Sequence, residues 1–181
     1  RRQRQMCIRD RDGIEVKVHP MLIPNNHPLA NVNDAFNAVF VHGKAMDDAM
    51  FMGRGAGQMP TASAVVGDII DVCRNIVHDS CGRIGCCCYK NLEVKDITDT
   101  KSKFFLRLEV ADKQGVLANI ASVLGNSGVS IAQVVQKSGK DGVAELVIIT
   151  AEVLEKNFND AMAVFKGLSA VKNIAGVIRV Y

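Results

Sequence analysis

The stretch VADKQGVLANIASVLGNSGVSIAQVVQK, Val110–Lys137, contains the end of a predicted strand, a helix and a second strand. The turn Asp112–Gly115 opens the helix, and Asn126–Gly128 ends it where glycines relieve the backbone. Apolar residues recur at helical spacing and form one inner face. They are Leu117, Ile120, Ala121 and Leu124. A strand, a helix and a strand in such short succession predict a compact α+β unit.

The residues around this stretch extend the unit to the order βαββαβ. Alternating apolar and polar residues predict strands on both sides, and an apolar stripe predicts a second helix. In chain order the segments are a strand within Phe104–Val110, the helix above, strands Val129–Lys137 and Val143–Thr150, a helix Leu154–Leu168 and a strand Val171–Val180. This is the order of a ferredoxin-like plait. A plait of this size is marginal alone, which favours pairing with a second copy.

These residues resemble an ACT domain, a small-molecule-sensing plait of amino-acid metabolism. The family pattern D-x-x-G-V-L at the first strand–helix turn is matched by Asp112, Gly115, Val116 and Leu117, followed by AELVIIT in the third strand. Gln114 stands where the family often has proline. The resemblance implies that an amino acid binds at this turn, and the expected effector is L-threonine.

The implied effector contacts are Asp112 and the backbone N–H groups of Gly115, Val116 and Leu117. Ser130 stands where relatives often carry a ligand-contacting Asn, and it is included in the expected effector site. An alternative role for Asp112 is to cap the following helix, which is frequent for Asp at such a place. Both roles stay open at this point, because one carboxylate can serve both.

A second stretch, FMGRGAGQMPTASAVVGD, Phe51–Asp68, has glycines at three alternate positions before a helix predicted from about Thr61 to Val77. Glycine lets a ligand approach the backbone, and the first turn of a helix presents free N–H groups. The helix is predicted to pack through one broad apolar face. Taken alone the glycine pattern is a weak signal, so a helix start without a ligand is the alternative.

The residues before the glycines predict a strand, a loop and a hairpin. In Ile14–Leu22 apolar Ile14, Val16 and Val18 alternate with polar neighbours, including Lys17, as in a half-buried strand. Further predicted segments are a short helical piece Asn31–Phe36 and the hairpin strands Asn37–His42 and Ala49–Gly53.

The stretch HPMLIPNNHPLANVNDAFNAVFVHG, His19–Gly43, read with the glycine stretch, resembles the C-terminal part of the catalytic region of homoserine dehydrogenases. Many bacterial members of that family end in an ACT domain. The implied fold is α+β: part of a mixed-sheet substrate and dimerisation domain with one helix of the nucleotide domain, then a βαββαβ ferredoxin-like ACT domain. The expected limits are residues 12–78, a linker at 79–102, and residues 103–181.

The resemblance implies NAD- or NADP-dependent interconversion of L-aspartate 4-semialdehyde and L-homoserine, in the cytoplasm, by a homodimer or larger homo-oligomer. Gly57 is implied to lie on the cofactor with Thr61 beside it. Gly55 is included in this cofactor site, although Gly53 and Gly55 are also predicted to form the turn. No Rossmann G-x-G-x-x-G and no acid/base lysine matches, so no catalytic residue is assigned and the chain is expected to be a C-terminal piece cut near Asp12.

Two other functions stay open from the sequence. The chain could be a stand-alone amino-acid-binding regulatory module without catalysis. It could also be an interaction module that pairs through exposed sheet edges. An in-frame Rossmann domain upstream of Asp12 would favour the enzyme, whereas a nearby start codon would favour the stand-alone module.

The first eleven residues, RRQRQMCIRDR, carry five Arg and one Asp and show no apolar periodicity. They resemble translated sequencing-adapter read-through, so we expect them to be foreign or unstructured. Without them the formal net charge falls from +3 to −1, which removes the argument for a nucleic-acid partner. No apolar run is long enough to predict a membrane span.

The chain has six cysteines, and three of them lie together in Cys86–Cys88. Adjacent side chains converge poorly on one metal ion, and no second Cys/His pair at ligand spacing accompanies them. We therefore expect free thiols and no metal site.

Overall fold

The computed structural model describes residues 5–9, 13–82, 92–137, 139 and 142–181. In chain order the elements are β1 (Gln5–Arg9), β2 (Ile14–Val18), β3 (Met21–Leu22), β4 (Phe36–Gly43), β5 (Asp47–Arg54), α1 (Gln58–Val77), β6 (Lys101–Ala111), α2 (Val116–Asn126), β7 (Ile131–Lys137), β8 (Val143–Thr150), β9 (Val153–Leu154), α3 (Glu155–Gly167) and β10 (Val171–Val180).

Contacts divide the described residues into two compact units. One contains those within Arg1–Pro24 and Leu92–Tyr181, and the other those within Asn25–Asn91. This division differs from the expected domain limits, because β2 and β3 join the plait instead of the residues that follow them. Of the linker predicted at 79–102, residues 92–102 belong to the same unit as β2, and Ile14 forms a parallel bridge with Val94 there.

The predicted plait is confirmed in order and topology. Its sheet runs β10-β6-β8-β7, and each neighbouring pair is antiparallel. Alternate residues of β6 point inward and are buried against α2 and α3. The core consists mainly of Phe104, Leu106, Leu108 and Val110 of β6, Ile120 and Leu124 of α2, Leu146 and Ile148 of β8, and Phe158 and Phe165 of α3. The two helices therefore cover one face of the sheet.

The outer edge of β10 is covered by β3. Met21 and Leu22 pair in parallel with Arg179 and Val180, and the Tyr181 N–H donates to the Leu22 carbonyl at 2.9 Å. The sequence predicted one strand over Ile14–Leu22, but the structure interrupts it at Pro20, which has no N–H and restricts the residue before it.

The face of β2 that is buried is opposite to the predicted one. Val16 and Val18 are 48% and 74% exposed, whereas Lys17 is 2% exposed. The prediction of an apolar inner face was therefore wrong for this strand. The physical reason is that polar partners, described below, surround the Lys17 ammonium on the inner side.

The segment Gln5–Arg9 forms β1, which pairs antiparallel with β2 from Gln5↔Val18 to Arg9↔Ile14. Of the two alternatives expected for the first eleven residues, foreign or unstructured, the second does not hold for these five. A strand ladder is made by backbone N–H and C=O groups, so an open edge accepts a segment without apolar periodicity. Their foreign origin stays a prediction.

The second unit contains a hairpin and a long helix. The hairpin is confirmed, with β4 and β5 in register from Phe36↔Arg54 to Gly43↔Asp47. The helical piece expected at Asn31–Phe36 is instead a 3-10 turn at Pro28–Asn31. His27 explains the shift, because its Nδ1 accepts from the Leu29 N–H at 3.2 Å and so caps the turn.

Helix α1 exposes the apolar face that the sequence predicted to pack. None of its residues is buried in the described part of the chain, and Ile69 and Val77 are 55% and 78% exposed. Such a contiguous apolar strip is unusual for a surface helix. Among the described helices, none combines the length and apolar character needed to cross a membrane.

Candidate effector and cofactor sites

A pocket of about 310 Å³ lies where β6 meets α2. Its lining is one continuous run of chain, Val110–Leu117, together with Gln136 and Leu146. Four of the five predicted effector residues, Asp112, Gly115, Val116 and Leu117, therefore line the same cavity. The structure brings them together because the strand end, the turn and the first helical turn fold around one space.

Gly115 shapes this pocket through its backbone. It is the N-cap of α2 and has φ +82° and ψ −9°, a left-handed conformation that glycine adopts without the penalty of a Cβ. Among the described residues no side chain caps the helix, so the alternative role of Asp112 as a helix cap was wrong. The Asp112 N–H donates to the Gly142 carbonyl at 2.9 Å, which fixes the turn, and Asp112 lines the pocket.

The predicted fifth residue, Ser130, does not line the pocket. Ser130 directly precedes β7, whose first residue Ile131 pairs with Thr150 at the far end of the sheet from Asp112. The other end of β7 reaches the pocket instead and contributes Gln136. Sequence reasoning missed Gln136, because only the register between β7 and β8 places it there.

The polar groups of the pocket suit a zwitterion. The Asp112 carboxylate can accept hydrogen bonds from an ammonium group. The first-turn N–H groups of α2 and the positive end of its dipole favour a carboxylate. Buried Val116 and half-exposed Leu117 add apolar surface. These groups have the chemistry to hold the amino and carboxylate groups of a free amino acid.

The glycine stretch connects β5 to α1. Gly57 is the N-cap of α1 with φ +129° and ψ 147°, and the Thr61 N–H donates to its carbonyl at 3.2 Å. The helix thus begins at Gln58, three residues before the predicted start, and Thr61 lies within it. In the part of the chain that the structure describes, no side chain caps α1. The first-turn N–H groups of a helix have no partner within the helix itself.

The other two glycines have different surroundings. Gly53 lies within β5 and pairs with Asn37, so its predicted role in the turn was wrong. Gly55 follows the strand, and its N–H donates to the Ala35 carbonyl at 3.2 Å. A Cβ at Gly55 would lie 1.5 Å from Asn37 Nδ2. Gly55 therefore allows a close approach of the chain to Asn37.

The junction fits one side of a nucleotide cofactor. An uncapped helix start favours phosphate or ribose oxygens, and Gly57 leaves the approach to that start free of a side chain. Gly55, Gly57 and Thr61 are all exposed at this helix start.

The described residues contain no cluster of three or more potential metal ligands. Cys73 and Cys81 are free and exposed. The candidate run Cys86–Cys88 lies outside the described residues.

Comparison with known proteins gives two family matches. Residues 2–70 match the family described as homoserine dehydrogenase, and residues 98–179 match the ACT domain. The homoserine dehydrogenase of Corynebacterium glutamicum is 41% identical over 170 residues, which are 93% of this chain and 38% of that protein. The homoserine dehydrogenase of Bacillus subtilis is 39% identical over 96% of this chain and 41% of its own length.

The fold agrees with these matches. A crystal structure of a homoserine dehydrogenase from Thiobacillus denitrificans is 36% identical and has a TM-score of 0.85, over 97% of this chain and 41% of that one. The chain spans about two fifths of the length of these relatives. With both family regions present in one chain, in this order and with this fold, the chain belongs to the homoserine dehydrogenase family and carries an ACT domain.

Proposed function

We propose that this chain is the C-terminal part of a cytoplasmic homoserine dehydrogenase, which interconverts L-aspartate 4-semialdehyde and L-homoserine with NAD or NADP. The observation that supports this most is the structural similarity over 97% of the chain to an enzyme of that name. Reduction of the aldehyde requires a hydride, which the nicotinamide supplies when bound.

The residues of this chain have a positioning role in that reaction. The start of α1 provides uncapped N–H groups for cofactor oxygens, and Gly57 lets the cofactor approach the backbone. Gly55 keeps the end of the hairpin close to Asn37, and Thr61 offers a hydroxyl on the first turns of α1. No residue here is assigned a proton transfer.

The test is a chimera in which this chain replaces the corresponding region of the Thiobacillus denitrificans enzyme. We expect nicotinamide-dependent homoserine oxidation, measured by the absorbance of the reduced cofactor. The same enzyme with the region deleted is the control, and a folded but inactive chimera would contradict the proposal. An inactive chimera that still binds an amino acid would favour a regulatory module without catalysis.

We further propose that the pocket at the start of α2 binds L-threonine as a feedback effector. The support is that Asp112, an acidic residue, lines the same cavity as the first residues of α2, a helix with no side-chain cap among the described residues. Inhibition then requires that threonine binds two conformational states with different affinity.

Asp112→Asn should weaken threonine binding to the chain by about tenfold, because it removes the negative partner of the ammonium group. Calorimetry on the 181-residue chain measures the effect. Asp160→Asn on α3 is the matched control, since Asp160 is exposed and outside the pocket. Absence of threonine uptake by the unmodified chain would count against an effector site.

A homodimer is part of this proposal. Among the described strands, none pairs with the outer edge of β7, and Val134 and Val135 on it are 42% and 40% exposed. An open strand edge with apolar residues is suited to pairing with a second copy around a two-fold axis.

A further inference from the structure

A group of polar and charged side chains, buried except for a partly exposed arginine, joins β2 to the ACT domain. The Lys17 Nζ donates to the Lys101 carbonyl at 3.1 Å and to the Ser102 Oγ at 3.2 Å. The Ser102 Oγ donates to the Glu155 Oε1 at 2.9 Å. Arg179 contacts the same carboxylate. We name Lys17, Ser102, Glu155 and Arg179 the clasp.

The carboxylate of Glu155 is the centre of the clasp. The Arg179 Nε and Nη2 donate to its Oε1 and Oε2 at 2.5 and 2.7 Å, a bidentate arrangement that fixes both groups. Burial raises the pKa of Glu155, but hydrogen bonds from Arg179 and Ser102 and the charges of Arg179 and Lys17 together hold it below its usual value. Glu155 is therefore ionised at neutral pH.

Lys17 and its strand have further partners, Glu15, Glu93 and Lys95, in the same compact unit. Glu15 Oε2 lies 3.6 Å from the Lys17 Nζ, and Glu15 Oε1 lies 3.6 Å from the Lys95 Nζ. The backbone of Ile14 exchanges two 2.9 Å hydrogen bonds with Glu93 and Lys95. Strand β2 is thus held along its length, and Lys17 is the side chain that reaches inward.

The clasp crosses the boundary between the two family regions. Lys17 lies in residues 2–70, which match homoserine dehydrogenase, whereas Ser102, Glu155 and Arg179 lie in residues 98–179, which match the ACT domain. Strand β6 carries Ser102 near its first residue, and Val110 and Ala111 at its last residues line the effector pocket. One continuous strand therefore joins the pocket to the clasp.

We propose that the clasp attaches β2 and β3 of the dehydrogenase region to the ACT domain. These two strands and the ACT domain then unfold and refold as one cooperative unit. A buried ammonium needs its oxygen partners, and the ACT domain supplies the Lys101 carbonyl and the Ser102 hydroxyl. A shift of β6 therefore changes the stability of β2 through Lys17. The coupling of β2 to the effector pocket rests on the function proposed above, whereas the attachment of β2 and β3 to the ACT domain does not.

Hydrogen exchange on the whole chain tests the attachment without any ligand. Lys17→Met keeps the aliphatic stem and removes the charge. We expect the amides of β2 and β3 to lose about tenfold in protection, while those of β7 and β8 keep theirs. Unchanged protection of β2 and β3 would overturn the proposal.

Two further variants keep the comparison decisive. Arg107→Met removes an ion pair of the same sheet, Arg107 Nε to Glu145 Oε2 at 2.8 Å, whose side chains are 49% and 28% exposed. This control should leave β2 and β3 unchanged. Ser102→Ala removes only the hydroxyl that links Lys17 to Glu155, and it replaces Lys17→Met if that variant does not fold. The same loss in β2 and β3 is expected.

Adding L-threonine tests whether β2 is coupled to the effector pocket. In the unmodified chain, threonine should change the protection of β2, and in Lys17→Met that change should vanish while the calorimetric Kd stays the same. Threonine uptake without any change in β2 overturns the coupling and leaves the effector site intact. If threonine is not taken up, the effector proposal fails, and the ligand-free comparison still decides the attachment.

Discussion

Glu155→Gln is expected to lower the free energy of unfolding by about 3 kcal/mol at neutral pH. The substitution keeps the shape of the side chain but removes the charge that balances Arg179 and Lys17. Glu155 and Lys17 are each 2% exposed, so water replaces little of the lost interaction. Loss of one member of such a charged group is costly, because Arg179 loses its bidentate carboxylate partner, although buried Lys17 keeps Glu15 as its charged neighbour at 3.6 Å.

The same variant should change how stability depends on pH. The pKa of Glu155 is held below its ordinary value of 4.5 in the folded chain. A lowered pKa stabilises the folded state above 4.5, and that stabilisation is lost as the pH falls through the folded pKa. Part of the acid sensitivity of the unmodified chain should therefore be missing in Glu155→Gln.

Urea unfolding at neutral and acidic pH measures both effects. Glu152→Gln is the matched control, since Glu152 is exposed three residues earlier and outside the clasp. It should change stability little at either pH. Equal stability of Glu155→Gln and the unmodified chain at neutral pH would mean that the clasp contributes no net stabilisation.

The plait was predictable because its signals are local and repeated. Strand β6 alternates over eleven residues, and α2 keeps an apolar face that ends at glycine-containing turns. Strand β3 was not predictable as a separate element, since a two-residue segment carries no period. Its position depends on a backbone edge of β10, more than 150 residues later in the chain.

Strand β2 shows how a correct period can give the wrong face. The alternation over Ile14–Val18 is real, and it predicts a strand there. Which face of the strand points inward depends on the residues that it packs against. Here Ser102 accepts a hydrogen bond from Lys17 and donates one to the Glu155 carboxylate, so Lys17 faces inward and Val16 faces outward. A sequence pattern that assigns apolar residues to the inner face cannot find a buried lysine whose hydrogen-bond acceptors are 84 and 85 residues away.

The candidate effector site was predictable for the residues that are contiguous in sequence. Asp112, Gly115, Val116 and Leu117 belong to one strand–turn–helix, so their proximity needs no tertiary information. Ser130 and Gln136 are both on or beside β7, and only the strand register decides which of them reaches the pocket. The resemblance selected the residue at the opposite end of that strand from the pocket.

The prediction for the cofactor site concerns Gly57, whose backbone has φ +129° and ψ 147°. Side chains rarely adopt this conformation, and holding alanine there costs about 1–3 kcal/mol. A Cβ would also lie 3.2 Å from the Pro60 Cδ, inside the first turn of α1. Gly57→Ala should therefore displace the N–H groups that we assign to the cofactor.

In the chimeric enzyme, Gly57→Ala is expected to weaken binding of the nicotinamide cofactor by about tenfold, because misplaced donors lose their hydrogen bonds. Gly53→Ala is the matched control, since Gly53 is in the same stretch but has open space where its Cβ would lie. Fluorescence titration of the reduced cofactor measures both. If the two variants bind equally well, the backbone at the start of α1 does not contact the cofactor. A loss confined to Gly57→Ala would assign that contact to this helix start, because the two variants add the same methyl group four residues apart.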